Sequence, residues 1–241
     1  VSELTEDRLL DGRVLLRQPA RGFRAGLDAV LLAAAVPARP GERVLEAGSG
    51  SGAGFLCLAA RVPGLRIVAV ERQPALAALA RENAVANGLD TQVEVVEGDI
   101  GDAALARALG PFDHGFANPP YWSGGTPPPT ADRRAATHEL QPLERWVRFL
   151  AAGLRHKGSV TLVLPAARFD AAAAALRAAG CGGLGLLPLW PRAGLAAKRV
   201  LLSGRAGDRG PARILPGLVL HEAGGFSAAA ERVLRGAEAL G

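Results

Sequence analysis

Short apolar blocks alternate along this chain with longer stretches in which apolar positions recur every third or fourth residue. Arg43-Val44-Leu45-Glu46 predicts a strand ending in glycines, and Phe55 to Val62 predicts a helix. The continuous apolar run Arg66-Ile67-Val68-Ala69-Val70 has the length of a strand. Pro74 to Asn87 reads as a long helix, with Pro74 in its first turn and Gly88 terminating it. Gln92 to Val96 is the next strand, Asp102 to Leu109 an alanine-rich helix, and His114 to Ala117 a fourth strand. Leu143 to Leu154 predicts a helix, Ser159 to Leu164 a strand and Arg168 to Ala179 a further helix. Leu184 to Leu189, Arg199 to Ser203 and Leu218 to His221 are strand candidates, and Phe226 to Leu240 predicts a terminal helix or a short strand and helix.

Apolar strands alternating with helices predict an α/β fold around a parallel sheet covered on both faces, while the strands crowded toward the C-terminus predict an antiparallel ending. Ser123 to Ala131, with Gly124, Gly125 and Pro127 to Pro129, predicts an irregular loop; such loops inside compact domains serve as lids or binding loops.

A chain of 241 residues, 49% of them apolar, is long enough to bury the core of one domain. Its apolar blocks stay below the roughly 18 residues needed to span a membrane. The first twenty residues mix Glu3, Glu6, Asp7, Arg8, Asp11 and Arg13 with leucines, which does not read as a signal peptide. There is no methionine, so the natural start residue is missing or replaced at Val1. Cys57 and Cys181 lie far apart without metal-type spacing, as expected of reduced thiols in a cytoplasmic protein that holds no metal. The net charge of +5 is carried almost wholly by arginine, Lys157 and Lys198 being the only lysines. The planar arginine fork suits phosphate recognition. Abundant glycine and alanine, however, point to GC-rich coding, which raises arginine by itself, so charge alone is a weak pointer to nucleic acid.

The strongest chemical signal is Glu46-Ala47-Gly48-Ser49-Gly50-Ser51-Gly52, which closes the first strong strand and opens a helix. Glycines let a backbone approach a ligand closely, and a helix N-terminus offers unpaired N–H groups. Glu71 closes the second strand, where a carboxylate can accept ribose hydroxyls, and Asp99, after Gly98, closes the third. A dinucleotide site fits the strand–helix rule as well. Against it, Glu46 stands before the first glycine, a poor neighbour for a pyrophosphate but a good one for an amine or a sulfonium. No Lys-Ser/Thr pair is present to make a phosphate loop. These residues resemble the class I S-adenosylmethionine-dependent methyltransferases. By that resemblance Glu46, Gly48, Ser49, Gly50 and Gly52 form the first motif, Glu71 with Arg72 beside it the ribose-binding position, and Gly98-Asp99-Ile100 the segment beside the adenine. The resemblance implies a Rossmann-like, seven-stranded, mostly parallel sheet with a reversed last strand and helices on both faces.

The second signal is Asn118-Pro119-Pro120-Tyr121-Trp122, directly after the fourth strand. Consecutive prolines cannot continue a ladder or enter a helix interior, so this backbone is stiff and extended. Asn118-Pro119-Pro120-Tyr121 resembles the catalytic motif of methyltransferases acting on adenine N6, cytosine N4 or a glutamine side-chain amide. The chemistry explains the residue types, because the lone pair of such a nitrogen is delocalised. Two acceptors, the Asn118 side-chain oxygen and the Pro119 carbonyl, can hold its two hydrogens and favour a pyramidal nitrogen. Tyr121 can stack on the planar group, a contact worth roughly 1–3 kcal/mol, and Trp122 can form a wall of the pocket. Trp146 and Trp190 read as packing residues.

Upstream, Gly22 to Leu32 is similar to a block in bacterial tRNA (adenine-N6)-methyltransferases, which modify an adenosine beside the anticodon of a valine tRNA. The resemblance places Gly26 and Asp28 near the methionine end of the cofactor; Asp28 also suits a helix N-terminus. Arg133-Arg134, His138, Arg192, Lys198 and Arg199 lie in further blocks similar to that family and are candidate phosphate contacts. The expected protein is therefore a single methyltransferase domain over 1–241, with 1–40 an extension completing the cofactor and substrate site and 41–241 the Rossmann-like core. Its expected reaction is methylation of adenine N6 in tRNA or another structured RNA, as a monomer or homodimer. Methylation of a protein glutamine amide, a non-catalytic RNA-binding module with a vestigial cofactor site and a nicotinamide-dependent oxidoreductase are the alternatives.

Overall fold

A computed structural model describes residues 3–21, 24–120 and 142–240. The chain opens with an antiparallel hairpin, β1 (Leu4–Leu9) and β2 (Val14–Pro19), followed by α1 (Leu27–Ala35). Strands and helices then alternate: β3 (Arg43–Ala47), α2 (Ala53–Arg61), β4 (Arg66–Glu71), α3 (Pro74–Ala86), β5 (Val93–Glu97), α4 (Ala103–Leu109) and β6 (Phe112–Ala117). From residue 142 on come α5 (Leu143–Gly153), β7 (Leu154–Pro165), α6 (Phe169–Ala178), β8 (Cys181–Trp190) and β9 (Arg199–Ala206). The chain ends with four two-residue strands, β10 (Arg213–Ile214), β11 (Leu218–Val219), β12 (His221–Glu222) and β13 (Gly225–Phe226), and α7 (Ala228–Leu234).

The main sheet runs β5-β4-β3-β6-β7-β9-β8, and β10 and β11 both join the free edge of β8. β3 through β7 pair in parallel, and β9 is antiparallel to both β7 and β8. The reversed strand is therefore Arg199–Ala206, inserted between two strands that precede it in sequence.

Alternation along the strands splits the core into two clusters. Ile67 and Ala69 of β4 and Val163 of β7 face the layer of α1, α2, α3 and α7. Val68, Val70, Val160, Leu162 and Leu164 face α4, α5 and α6. Side chains on a strand point to opposite faces in turn, so strands buried on both sides read as continuous apolar runs, as these do. Among the described residues no helix is long and apolar enough to cross a membrane.

Two local expectations change. Leu218 to His221 is not one strand: Leu218 and Val219 pair with Leu189 and Trp190, whereas His221 and Glu222 turn to pair with Phe226 and Gly225. The hairpin β1–β2 escapes the sequence reading because β1, with Glu6, Asp7 and Arg8 in six residues, buries no continuous face.

Candidate active site

The strand order reverses at β3. After it the chain adds β4 and β5 on one side, then returns to place β6 on the other. Open parallel sheets bind ligands at the carboxyl ends of their strands beside such a reversal. Register aligns the residues there: Ala47 pairs with Val70 and with Ala117, so the next residues, Gly48, Glu71 and Asn118, share one level of that edge.

Between β3 and α2 the backbone coils tightly. Gly48, Gly50 and Gly52 have φ of +66°, +56° and +98°, a region that strains residues with a β-carbon. The amides of Gly48 and Ser49 both donate to the Val70 carbonyl, at 2.8 and 3.2 Å, and Gly52 N–H donates to Ser49 O at 2.9 Å. Glu71 completes the turn, one carboxylate oxygen accepting the Gly50 amide at 2.9 Å and the other the Gln73 amide at 2.8 Å. A carboxylate has about four acceptor positions, so each oxygen keeps one for a ligand hydroxyl. A β-carbon built on Gly50 would meet nothing within 4 Å, so this backbone faces open space.

Glu46 is buried just beneath. It accepts the Phe55 amide at 2.9 Å, and Gly54 passes so close that a β-carbon there would lie 2.1 Å from the carboxylate. Desolvation pushes its carboxyl up to about 8; the Phe55 hydrogen bond opposes this and the Glu71 charge adds to it. At neutral pH the raised pKa favours the protonated form of Glu46. Burial also pushes the nearby Cys57 thiol up to about 12, which leaves it unreactive.

At the end of β5, Gly98 N–H donates to the Glu71 backbone carbonyl at 3.1 Å, which ties this turn to the end of β4. Asp99 accepts the Gly101 amide at 2.7 Å, Ile100 is buried, and Asp102 caps α4 through Ala104 and Leu105. Arg72 lies exposed beside Glu71.

Across β3, Asn118 follows β6, with Pro119 buried and Pro120 half-buried. Among the described residues, Asn118 Oδ1 is buried without a hydrogen-bond partner, as are Ser49 Oγ and Trp146 Nε1. Leaving such an atom unpaired costs roughly 1–3 kcal/mol. Unpaired buried polar atoms in and around one crevice mark where a ligand's own groups would complete the bonding. Trp146 stands on α5 against Gly48, a placement its buried position as a packing residue does not announce in the sequence.

Of the other expected site residues, Gly26 precedes α1 with open space where a β-carbon would sit, and Asp28 lies in the first turn of that helix. Asp28 forms an ion pair with Arg199 at 3.2 Å, uniting a residue expected at the cofactor with one expected at phosphate. Arg192 and Lys198 are exposed on the connection between β8 and β9. Tyr121, Trp122, Arg133, Arg134 and His138 lie outside the described residues, as does the Ser123 to Ala131 loop. The residues that sequence reading missed are the amides Gln18, Asn83 and Asn87, which join the hairpin to this region. The sequence signal for the two asparagines is their i, i+4 spacing at the end of one helix; Gln18 carries none.

Comparison with known proteins agrees with this geometry. Residues 44–125 match the family model of a methyltransferase domain. The tRNA1(Val) (adenine(37)-N6)-methyltransferase of Aeromonas salmonicida is 35% identical over 208 residues, 84% of each chain. The enzyme of the same name from Porphyromonas gingivalis is 32% identical over 155 residues; the match spans 61% of its length and 61% of this chain. A predicted O-methyltransferase from Agrobacterium tumefaciens shares the fold with a TM-score of 0.74 and 26% identity, covering 88% of this chain and 98% of that one. A Rossmann-like sheet whose carboxyl edge carries Gly48–Gly52, Glu71 and Asn118, joined to a relative matched over most of both chains, leads to one conclusion: the chain belongs to the S-adenosylmethionine-dependent methyltransferase family of the tRNA1(Val) (adenine(37)-N6)-methyltransferases.

Proposed function

We propose that this protein transfers a methyl group to the exocyclic N6 of an adenine in tRNA, the adenosine beside the anticodon being the target most consistent with its relatives. The observation that carries the reading is the buried, unpartnered Asn118 Oδ1, level with Gly48 and Glu71.

The residues present fit S-adenosylmethionine. Glu71 would hold its ribose hydroxyls, Gly98, Asp99 and Ile100 would flank its adenine, and Gly48–Gly52 would leave room for its body. Glu46, Gly26 and Asp28 would face its charged methionine end. When bound, the cofactor supplies an electrophilic methyl group on a sulfonium centre. Asn118 Oδ1 and the Pro119 carbonyl accept the two hydrogens of the target amine and fix the direction of its lone pair. Tyr121 would stack on the base and Trp122 would wall the pocket, as the motif resemblance implies. The rate gain then comes from position and from dipoles already aligned, not from a covalent intermediate.

Arg192 and Lys198, with Arg133, Arg134 and His138, supply phosphate contacts. Arg199 joins their segment to the start of α1 through Asp28. Residues 1–40 complete the site of a single domain, because Gln18 holds the backbone of Ala25 immediately before Gly26.

Incubation with methyl-labelled cofactor and unmodified tRNA, followed by nucleoside analysis, tests the reading. Label in N6-methyladenosine, with tRNA binding that weakens steeply as salt rises, is the expected result. Label in a protein glutamine and none in RNA would replace it with the amide reading, and no cofactor binding at all would remove both.

A further inference from the structure

The hairpin β1–β2 lies outside the main sheet, yet one edge of β2 is not left open. Asn83 on α3 and Asn87, the residue that caps its C-terminal end, stand one turn apart and offer their side-chain amides to that edge as a second strand would. Asn83 accepts the Arg17 amide at 3.0 Å and donates to the Arg17 carbonyl at 2.7 Å. Asn87 does the same with Leu15, at 2.9 and 2.7 Å. The spacing explains the match: four helical residues rise about 6 Å and two strand residues about 6.6 Å.

The two amides differ in one respect. Asn83, fully buried, sends a second N–H to the carbonyl of Ser51 at 2.8 Å, inside the glycine loop. Asn87 spends its second N–H on the Asn83 carbonyl in the last turn of α3 at 2.7 Å. Further bonds on that loop come from the loop itself, from Val70, from Glu71 and from Leu56 of α2. Three glycines with positive φ give the loop little intrinsic preference for its shape, so each anchor matters. Next to Arg17 on the same strand Gln18, itself buried, accepts the Ala25 amide at 2.9 Å and donates to Ala25 O at 3.3 Å, while Asp7 of β1 holds Arg24 at 2.7 Å. The hairpin thus links Ser51 on one side to the approach of Gly26 and Asp28 on the other.

We infer that Asn83 is a positioning residue for cofactor binding: it fixes the Gly48–Gly52 loop through Ser51 and couples that loop to docking of the N-terminal hairpin. This deepens the proposed cofactor reading and rests on it. Sites joined by a shared element that must be ordered for both are coupled in free energy. Asn87 is the matched control, since it bonds the same strand edge without touching the loop.

The test compares Asn83→Ala with Asn87→Ala in the full chain, measuring thermal midpoint, S-adenosylmethionine affinity by calorimetry, and hydrogen exchange of the Gly50 to Ala53 amides without cofactor. Both variants should melt earlier. Asn83→Ala alone should weaken cofactor binding about tenfold, as expected from losing roughly one buried hydrogen bond. It alone should also speed exchange in the loop, and its KM for cofactor should rise far more than its kcat at saturation falls. Asn83→Ser, which loses the same donors without burying a charge, gives the same comparison if the alanine variant does not fold. Equal effects of the two positions on affinity and loop exchange would overturn the inference while leaving the cofactor reading intact. A wild type that binds no S-adenosylmethionine would overturn the cofactor reading itself and, with it, this role for Asn83.

Discussion

The indole of Trp146 lies against Gly48 so closely that a β-carbon on the glycine would sit 2.4 Å from Cη2 and 2.7 Å from Cζ3 of the ring. No real β-carbon makes such contacts, and the φ of +66° at Gly48 adds backbone strain to any side chain there. The ring is held in a core cluster with Val147 and Leu150, so it has little freedom to retreat.

Gly48→Ala should therefore destabilise the protein by about 2 kcal/mol or more. Denaturant unfolding measures this, and a Trp146→Leu background should recover part of the loss. Non-additivity is expected because the two residues touch. An unchanged midpoint would mean that the loop has room the structure does not give it.

Glu71 accepts the Gly50 and Gln73 amides and is the residue proposed to hold the cofactor ribose. Glu71→Ala should weaken S-adenosylmethionine binding about ten- to a hundredfold, because charge-assisted hydrogen bonds are lost from both the loop and the ligand. Calorimetry settles this, and an affinity equal to wild type would count against the ribose role.

Glu46 gives a proton-linkage prediction. Its folded pKa, about 8, stands above its ordinary 4.5. Below pH 4.5 the group is protonated in both folded and unfolded states and its contribution to stability is fully present. That contribution is lost as pH rises through 4.5 toward 8, because the unfolded chain ionises first. A cationic ligand beside Glu46 reverses the preference and expels a proton. Between pH 6 and 7, cofactor binding should release protons, detected by calorimetry in buffers of different ionisation enthalpy. Glu46→Gln should abolish that release, and no proton exchange in the wild type would contradict the assignment.

His114 moves stability in the opposite direction. It is buried, with Nε2 2.8 Å from Glu42 and Nδ1 2.7 Å from Ser159 Oγ. Burial lowers its pKa below the ordinary 6.5 even though the Glu42 and Asp113 charges act to raise it. The unfolded chain binds this proton first, so the neutral ring's contribution is present above about pH 6.5 and is lost as pH falls through the folded pKa. Thermal midpoints of wild type should drop between pH 6.5 and 5 more than those of His114→Gln; parallel curves would refute this.

Much of the scaffold was legible because its physics is local. Ile67 to Val70 has to be buried on both faces, and Pro74 and Gly88 bracket a helix by their backbone preferences alone. The glycine loop, Glu71 and Asn118 were legible as separate signals, and the register of β3 with β4 and β6 set them level. What was not legible depends on distant partners. β1 buries no face that would betray it, and Asn83 looks like any polar helix residue until Arg17 and Ser51 are brought to it. The Asp28–Arg199 pair spans 171 positions and leaves no local trace.

The most direct test of the central claim is a paired measurement on Asn118→Ala: cofactor affinity and the rate of N6-methyladenosine formation in unmodified tRNA. The account predicts affinity within about twofold of wild type and a rate lowered by about a hundredfold or more, the scale of losing one aligned group at a transition state. A variant that methylates tRNA at nearly the wild-type rate would contradict it.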